Sequence, residues 1–194
     1  MSSTYDDATA TTLGILAGGR GSRLGGIDKA WLQRDGVPQV MRIARRFASE
    51  VDATLVSANG DPGLYVEHGL VAIADVVGGA GPIGGLDALA RACRTPWMLT
   101  VPVDLVGVNE CLMQTLRAHA ALRGAFAVDD DGPQPLVALW HAASLRPALS
   151  SAITTGNHAV HALQDSLGMQ PVRLPGVRFG NLNTPADLHA AGMR

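Results

Sequence analysis

Short apolar runs of strand length alternate with stretches of helical periodicity along most of the chain. "TTLGILA" (11–17), "ATLVSA" (53–58), "LVAIA" (70–74) and "WMLTV" (97–101) are bounded by glycine, proline or polar turns, as expected of strands buried on both faces. From Pro38 the chain reads "PQVMRIARRFASE", with Val40, Met41, Ile43, Ala44 and Phe47 toward one side and Arg42, Arg45 and Arg46 toward the other. That spacing predicts an amphipathic helix, with Pro38 suited to its first position. "IGGLDALARACR" (83–94) and "NECLMQTLRAHAAL" (109–122) predict two more helices, and a shorter helix-compatible piece follows the turn "NGDPG". In the last third, "AFAV" (125–128) and "PLVALW" (135–140) read as strands around the turn "DDDGPQ", followed by helices over 144–154 and 157–167. A final strand is predicted near "VRFG" (177–180). After it, in "NLNTPADLHAAG", Thr184 can cap a helix, Pro185 can open it and Asp187 can sit at its positive end.

Strands alternating with helices predict an α/β fold, a mostly parallel sheet covered on both faces, and nothing repeats at a fixed period. Ligands of such sheets bind beyond the carboxyl ends of the strands. At 194 residues and 47% hydrophobic content the chain suits one domain, assigned to 11–194, with 1–10 expected to be a flexible polar tail. The net charge of −2 and the lack of a lysine or arginine block argue against nucleic acid or an anionic membrane surface as partner, and so favour a small molecule. Cys93 and Cys111 lie in apolar, helix-like stretches without CxxC spacing, the pattern of buried thiols in a reducing compartment. With no basic, apolar leader and no membrane-length apolar run, the expected location is the cytoplasm, away from the membrane.

Chemistry concentrates in "LAGGRGSRLGGIDKAWL" (16–32), directly after the first predicted strand. Glycines let backbone N–H groups approach an anion, and Arg20, Arg23 and Lys29 add positive charge. The stretch is not a Walker A loop, and after Gly19 and Gly21 it has Leu24 where a dinucleotide fingerprint needs its third glycine. Strand-to-helix connections usually run about 2–6 residues, so a longer, cationic, glycine-rich one points to a phosphate ligand. Asp104, in "VPVDLV", falls just past a strand end, where it can cap a helix or share Mg²⁺ with phosphate oxygens. Asp75 follows "LVAIA" at the same edge and can contact a sugar or base, or cap a turn. His158 and His161 read as solvent-facing or partner-facing, Asp129 to Asp131 as a turn, and no G-x-S-x-G elbow occurs.

Taken together these motifs resemble those of the Rossmann-like nucleotidyltransferases, and the Gly-Gly-x-Asp-Lys ending at Lys29 is most similar to the molybdenum cofactor guanylyltransferase (MobA) branch. "GPIGGL" (81–86) is similar to that family's second glycine-rich segment, "VPVDLV" stands at its metal-binding aspartate, and "NLNTPADL" (181–188) matches its Asn-x-Asn-Thr-Pro signature, all in family order. The resemblance implies a single-domain, three-layer Rossmann-like nucleotidyltransferase fold that transfers GMP from GTP to molybdenum-bound molybdopterin. It implies Lys29, Arg23 and Asp104 as catalytic residues, with Asp104 the ligand of Mg²⁺. It also implies nucleotide contacts at Leu16, Ala17, Gly18, Gly19, Gly21 and Asp75, and pterin-side contacts at Asn181 and Asn183. Transient contact with recipient molybdoenzymes is a further expectation. The chain departs from the family at Val103 and Val106, which flank Asp104 in place of cysteine and proline, and at Ser57, which replaces an asparagine near the base; Asn59 is the candidate to supply that contact. The rival readings are a cytidylyltransferase of the same cofactor, a nucleotidyltransferase for another small phosphate, and a non-catalytic molybdopterin carrier.

Overall fold

The computed structural model describes residues 8–18, 28–120 and 122–194. Its centre is β1 (Thr11–Leu16), in which only Leu16, at the carboxyl end, is not fully buried. β1 pairs in parallel with β4 (Ala53–Ser57) on one side and with β6 (Trp97–Pro102) on the other. β5 (Val71–Ile73) extends the sheet beyond β4, and β9 (Gly132–His141), β8 (Gly124–Asp129) and β10 (Gln170–Arg173) extend it beyond β6. The order is β10-β8-β9-β6-β1-β4-β5, and β9 is antiparallel to both its neighbours while every other pairing is parallel. The expected α/β architecture with a mostly parallel sheet is what the chain forms.

Alternation along the strands divides the core in two. Leu13 and Ile15 of β1, with Leu99 and Val101 of β6, face α1 (Gln39–Phe47) through Val40, Ile43 and Phe47, and α4 (Leu112–His119) through Leu112 and Leu116. α2 (Pro62–Glu67) joins the same layer through Tyr65. On the opposite face Met98 and Trp140 pack with Leu86 and Leu89 of α3 (Pro82–Ala92), Leu145 and Leu149 of α5 (Ala142–Thr154), and Leu163 and Leu167 of α6 (Val160–Leu167). The result is helix, sheet, helix: three layers.

Some local expectations need correction. Pro38 does not open α1 from inside but caps it, because it belongs to a small hairpin of β2 (Gln33–Arg34) and β3 (Val37–Pro38) that turns through Asp35 at φ 54°. Such two-residue strands carry no periodicity to detect. The strand expected near 177–180 is a shorter β11 (Gly180–Asn181), antiparallel to β7 (Leu105–Val106) and outside the main sheet. The true edge strand, β10, escapes the pattern because Val172 is its one buried residue and Pro171 interrupts it. Cys93 is buried as expected, whereas Cys111 is exposed: it precedes α4 at the capping position, and the apolar neighbours that suggested burial, Leu112 and Met113, turn inward without it. His158 and His161 are exposed, as expected.

Asp129 lies at the end of β8 and is almost wholly buried. As the turn reading anticipated, its Oδ1 accepts hydrogen bonds from the amides of Asp131 and Gly132 at 3.0 Å, but its Oδ2 also accepts from Phe179 N–H at 2.8 Å. That third bond ties the segment leading to β11 onto the main sheet. Burial works to raise the Asp129 pKa, yet the hydrogen bonds, led by that of Phe179, outweigh it and hold the carboxyl below its ordinary 3.8. Asp129→Ala is expected to cost about 3 kcal/mol, seen as a lower urea midpoint. Because the folded pKa is the lower one, the stabilisation is complete above the ordinary value and fades as pH falls through the folded value. The gap between wild type and variant is therefore expected to narrow below about pH 4.

Candidate active site

Four strand ends meet at one edge of the sheet. Ala17 N–H donates to Ser57 O at 2.8 Å and Val103 N–H donates to Leu16 O at 2.9 Å, so the end of β1 is bonded to the ends of β4 and β6. Leu16, Ala17 and Gly18 therefore form the floor of this edge, with Ala17 buried and Gly18 exposed. Gly19, Gly21 and Arg23 lie outside the described residues.

On one side of the floor stands Asp75, just beyond β5. Ser57 Oγ donates to its Oδ1 at 2.9 Å and Asn59 Nδ2 donates to its Oδ2 at 3.1 Å, while Asp75 N–H donates back to Asn59 Oδ1 at 3.0 Å. Ser57, Asn59 and Asp75, separate in sequence, thus form one polar cluster, and Gly18 faces it: a Cβ there would stand 3.4 Å from Asn59 Nδ2 and 3.6 Å from Asp75 Oδ2. The first turn of α3 closes the cluster from beneath. A Cβ on Gly85 would lie 2.7 Å from Ser57 Oγ and 3.0 Å from Leu16 Cδ2, so the glycines of "GPIGGL" serve here as a close helix-to-sheet contact.

On the other side, beyond β6, Lys29 Nζ donates to Asp104 Oδ2 at 3.0 Å and to Asn183 Oδ1 at 2.7 Å. Residues 75 and 154 positions apart from the lysine thus converge on one ammonium. The lysine side chain is 15% exposed and the aspartate 25%, open enough to receive a ligand. Each partner is held by its own element. Asp28 Oδ1 accepts from Ala30 N–H at 3.0 Å and caps the 3₁₀ turn Lys29–Trp31, and the Trp31 ring packs 4.9 Å from Tyr65 and 5.0 Å from His68.

Asp104 is fixed through its neighbours. Its carbonyl accepts from Leu182 N–H at 2.9 Å, and the Leu105 carbonyl accepts from Gln39 Nε2 at 2.9 Å. The departure at Val106 acquires a structural role: residue 106 pairs with Gly180 across β7 and β11, and its Cγ2 stands 2.6 Å from where a Gly180 Cβ would be. This pairing brings Asn181 and Asn183 to the loop after Asp104. Asn181 is exposed opposite Leu105 and makes no side-chain hydrogen bond among the described residues, so the two asparagines are not equivalent.

Asn183 is set by α7 (Pro185–Ala190). Thr184 and Asp187 form a reciprocal capping box, and Asp187 Oδ2 accepts from Asn183 N–H at 3.1 Å and from Thr184 N–H at 2.8 Å. Hydrogen bonding from Thr184 is the main influence holding the Asp187 carboxyl below its ordinary 3.8, and the Lys29 charge acts in the same direction. Sequence reading identified the cap but not its reach to the lysine. It also missed Gln39, whose burial and bond to the Leu105 carbonyl exist only in the folded chain. A cavity of about 200 Å³ lies between α1 and β7, lined by Gln39, Arg42, Phe47 and Val106 among others, and Lys29, Asp104 and Asn183 are not among its lining residues.

A lysine–carboxylate pair on one side of the β1 end and the polar Ser57–Asn59–Asp75 cluster on the other suit a nucleotide with its phosphates, the ligand of nucleotidyltransferases. A family model described as a MobA-like NTP transferase domain matches residues 13–170. Curated relatives named molybdenum cofactor guanylyltransferase include one from Yersinia pseudotuberculosis, 35% identical over 177 residues covering 89% of this chain and 90% of its own, and one from Yersinia pestis at 34% over the same span. Among solved structures, molybdopterin-guanine dinucleotide biosynthesis protein A from Archaeoglobus fulgidus shares the fold with a TM-score of 0.73 at 20% identity, covering 93% of this chain and 96% of its own. A 2-C-methyl-D-erythritol 4-phosphate cytidylyltransferase from Thermus thermophilus gives 0.63 at 20% identity, with 92% and 96% covered. The chain belongs to the MobA-like NTP transferase family.

Proposed function

We propose that this chain is a cytoplasmic, Mg²⁺-dependent guanylyltransferase that transfers GMP from GTP to the terminal phosphate of molybdenum-bound molybdopterin, giving the guanine dinucleotide cofactor and pyrophosphate. The observation that carries the reading is the convergence of Lys29, Asp104 and Asn183 on one side of the β1 end, with the Ser57–Asn59–Asp75 cluster on the other. β6 and β5, whose ends carry the two clusters, are three inter-strand spacings apart, about 14 Å. That span accommodates a nucleoside at Asp75 and its triphosphate running toward Lys29. The names of the curated relatives supply the acceptor and the base.

The chemistry asks for position and charge. An oxygen of the acceptor phosphate attacks the α-phosphorus, the bond from that phosphorus to the bridging oxygen of the β-phosphate breaks, and the electron pair leaves with pyrophosphate. No protein nucleophile is required. Lys29 offsets charge growing on the leaving group, and the backbone amide of Gly18, just past β1, orients the phosphates, with Gly19, Gly21 and Arg23 assigned to the same task by resemblance. Asp75 keeps acceptor capacity for ribose hydroxyls or for the N–H groups of guanine, while Ser57 and Asn59 hold it in place.

Mg²⁺ fits the donor set. Among the described residues no three His, Cys, Asp or Glu side chains gather to cage a metal, but Asp104 offers one partly exposed carboxylate at the cationic end of the cleft. Mg²⁺ keeps several waters and needs only one or two carboxylates beside phosphate oxygens, so Asp104 would hold it. When bound, Mg²⁺ would neutralise and orient those oxygens. Among the described residues no helix is long and apolar enough to cross a membrane.

The test is incorporation of labelled GTP or CTP into molybdopterin by the purified protein with Mg²⁺. Preference for GTP supports the reading. Preference for CTP overturns the choice of base, and inertness toward every triphosphate overturns the enzyme assignment in favour of a carrier.

A further inference from the structure

We propose that Asn183 is a positioning residue for Lys29: held by Asp187, it keeps the ammonium aimed into the cleft independently of Asp104. The inference rests on the reading of Lys29 as a triphosphate ligand and adds to it the residue that prepares the lysine.

A lysine ammonium has three N–H donors on a flexible stem and no acceptor. Asp104 Oδ2 takes one donor at 3.0 Å and Asn183 Oδ1 takes another at 2.7 Å, the shorter of the two despite being uncharged. The two acceptors differ in what they leave behind. A carboxylate both orients the ammonium and neutralises it. The amide oxygen orients it and leaves its full charge for a phosphate. If Asp104 turns to a divalent cation, the ion pair is given up, and among the acceptors that hold Lys29 here Asn183 alone remains. A lysine already fixed on Asn183 enters the complex with its stem ordered and its remaining donors free.

Asn183 is itself braced. Its backbone N–H donates to Asp187 Oδ2 at 3.1 Å, and the capping box holds that carboxylate through Thr184 N–H at 2.8 Å, while Asp187 N–H donates back to Thr184 Oγ1 at 3.2 Å. Leu182, the preceding residue, is fully buried and its N–H is bonded to the Asp104 carbonyl. The C-terminal signature thereby serves as a rigid bracket for a lysine more than 150 residues earlier in the chain.

The experiment is a double-mutant cycle read by calorimetric GTP binding in Mg²⁺ buffer without acceptor, using the full chain as wild type, Asn183→Ala, Lys29→Gln and the double variant. Asn183→Ala is expected to weaken GTP binding about tenfold, the scale of one hydrogen bond to a charged group, and to leave GMP binding unchanged because GMP lacks the phosphates Lys29 faces. In the Lys29→Gln background the Asn183 substitution is expected to add nothing. Asp187→Ala, which frees the bracket but leaves the Asn183 side chain, is expected to weaken GTP binding less than Asn183→Ala does. The proposal is overturned if Asn183→Ala binds GTP as wild type does, or if its effect is undiminished in the Lys29→Gln background or equal for GMP, as a purely structural role would give. Lys29→Gln binding GTP as tightly as wild type, or a wild type that binds no GTP, removes instead the reading of Lys29 on which the proposal rests.

Discussion

Lys29→Ala is expected to lower kcat by about a thousandfold or more in the labelled-GTP assay while leaving the protein folded. The size follows from what the ammonium does: charge accumulates on departing pyrophosphate, and Lys29 is the described cation fixed at that end of the cleft. Such a group acts most strongly in the transition state, so the loss should appear in kcat as well as in KM. Stability should move little. The Lys29–Asp104 pair is partly solvated, with side-chain exposures of 15% and 25%, and pairs of this kind contribute about 1 kcal/mol or less. A Lys29→Ala protein with activity within tenfold of wild type would remove the lysine from the mechanism.

Asp104→Asn is expected to cost about a hundredfold to a thousandfold in kcat, for a different reason. The substitution keeps the shape and the backbone hydrogen bond from Leu182 but loses the charge that would hold Mg²⁺. Its distinguishing signature is metal binding. In the presence of GTP, wild type should immobilise Mn²⁺, used as a spectroscopic substitute and read by electron paramagnetic resonance, and Asp104→Asn should do so far more weakly. If Mn²⁺ binding with GTP is undiminished in the variant, Asp104 is not the ligand. Asp104→Asn also removes the ionic partner of Lys29 while Asn183 remains, so the lysine is expected to stay in the cleft.

Much of this site was legible because its chemistry is written in residues with few other uses. A lysine closing a glycine-rich stretch and an aspartate just past a buried strand both follow from where α/β sheets bind ligands, and the two side chains meet at that edge of the sheet. Asn59 is a candidate through the family resemblance, as the amide to stand in for the one missing at Ser57, and it shares Asp75 with that serine. The positioning residues were harder to see. Gln39 and Asp129 act through a backbone carbonyl and a backbone amide of distant segments, and no local pattern records a partner that the chain reaches only by folding. Cys111 shows the reverse error. Its apolar neighbours implied burial, but a residue at a helix start belongs to neither face of the helix, and it is exposed.

The sequence by itself determined the layering, because apolar runs of strand length and helical periodicity alternate strongly enough to require a sheet covered on both sides. It also pointed to the strand edge where Lys29, Asp104 and Asp75 stand, and to the family to which the chain belongs. Only the tertiary structure decided which residues meet. The antiparallel place of β9, the edge position of β10 and the pairing of β7 with β11 depend on contacts between segments far apart in the chain, whose individual sequences are short and ambiguous. That last pairing, seated by Val106 against Gly180, carries Asn183 to Lys29. The hydrogen bond between them closes over 154 positions, and its geometry exists only once the strands between have folded.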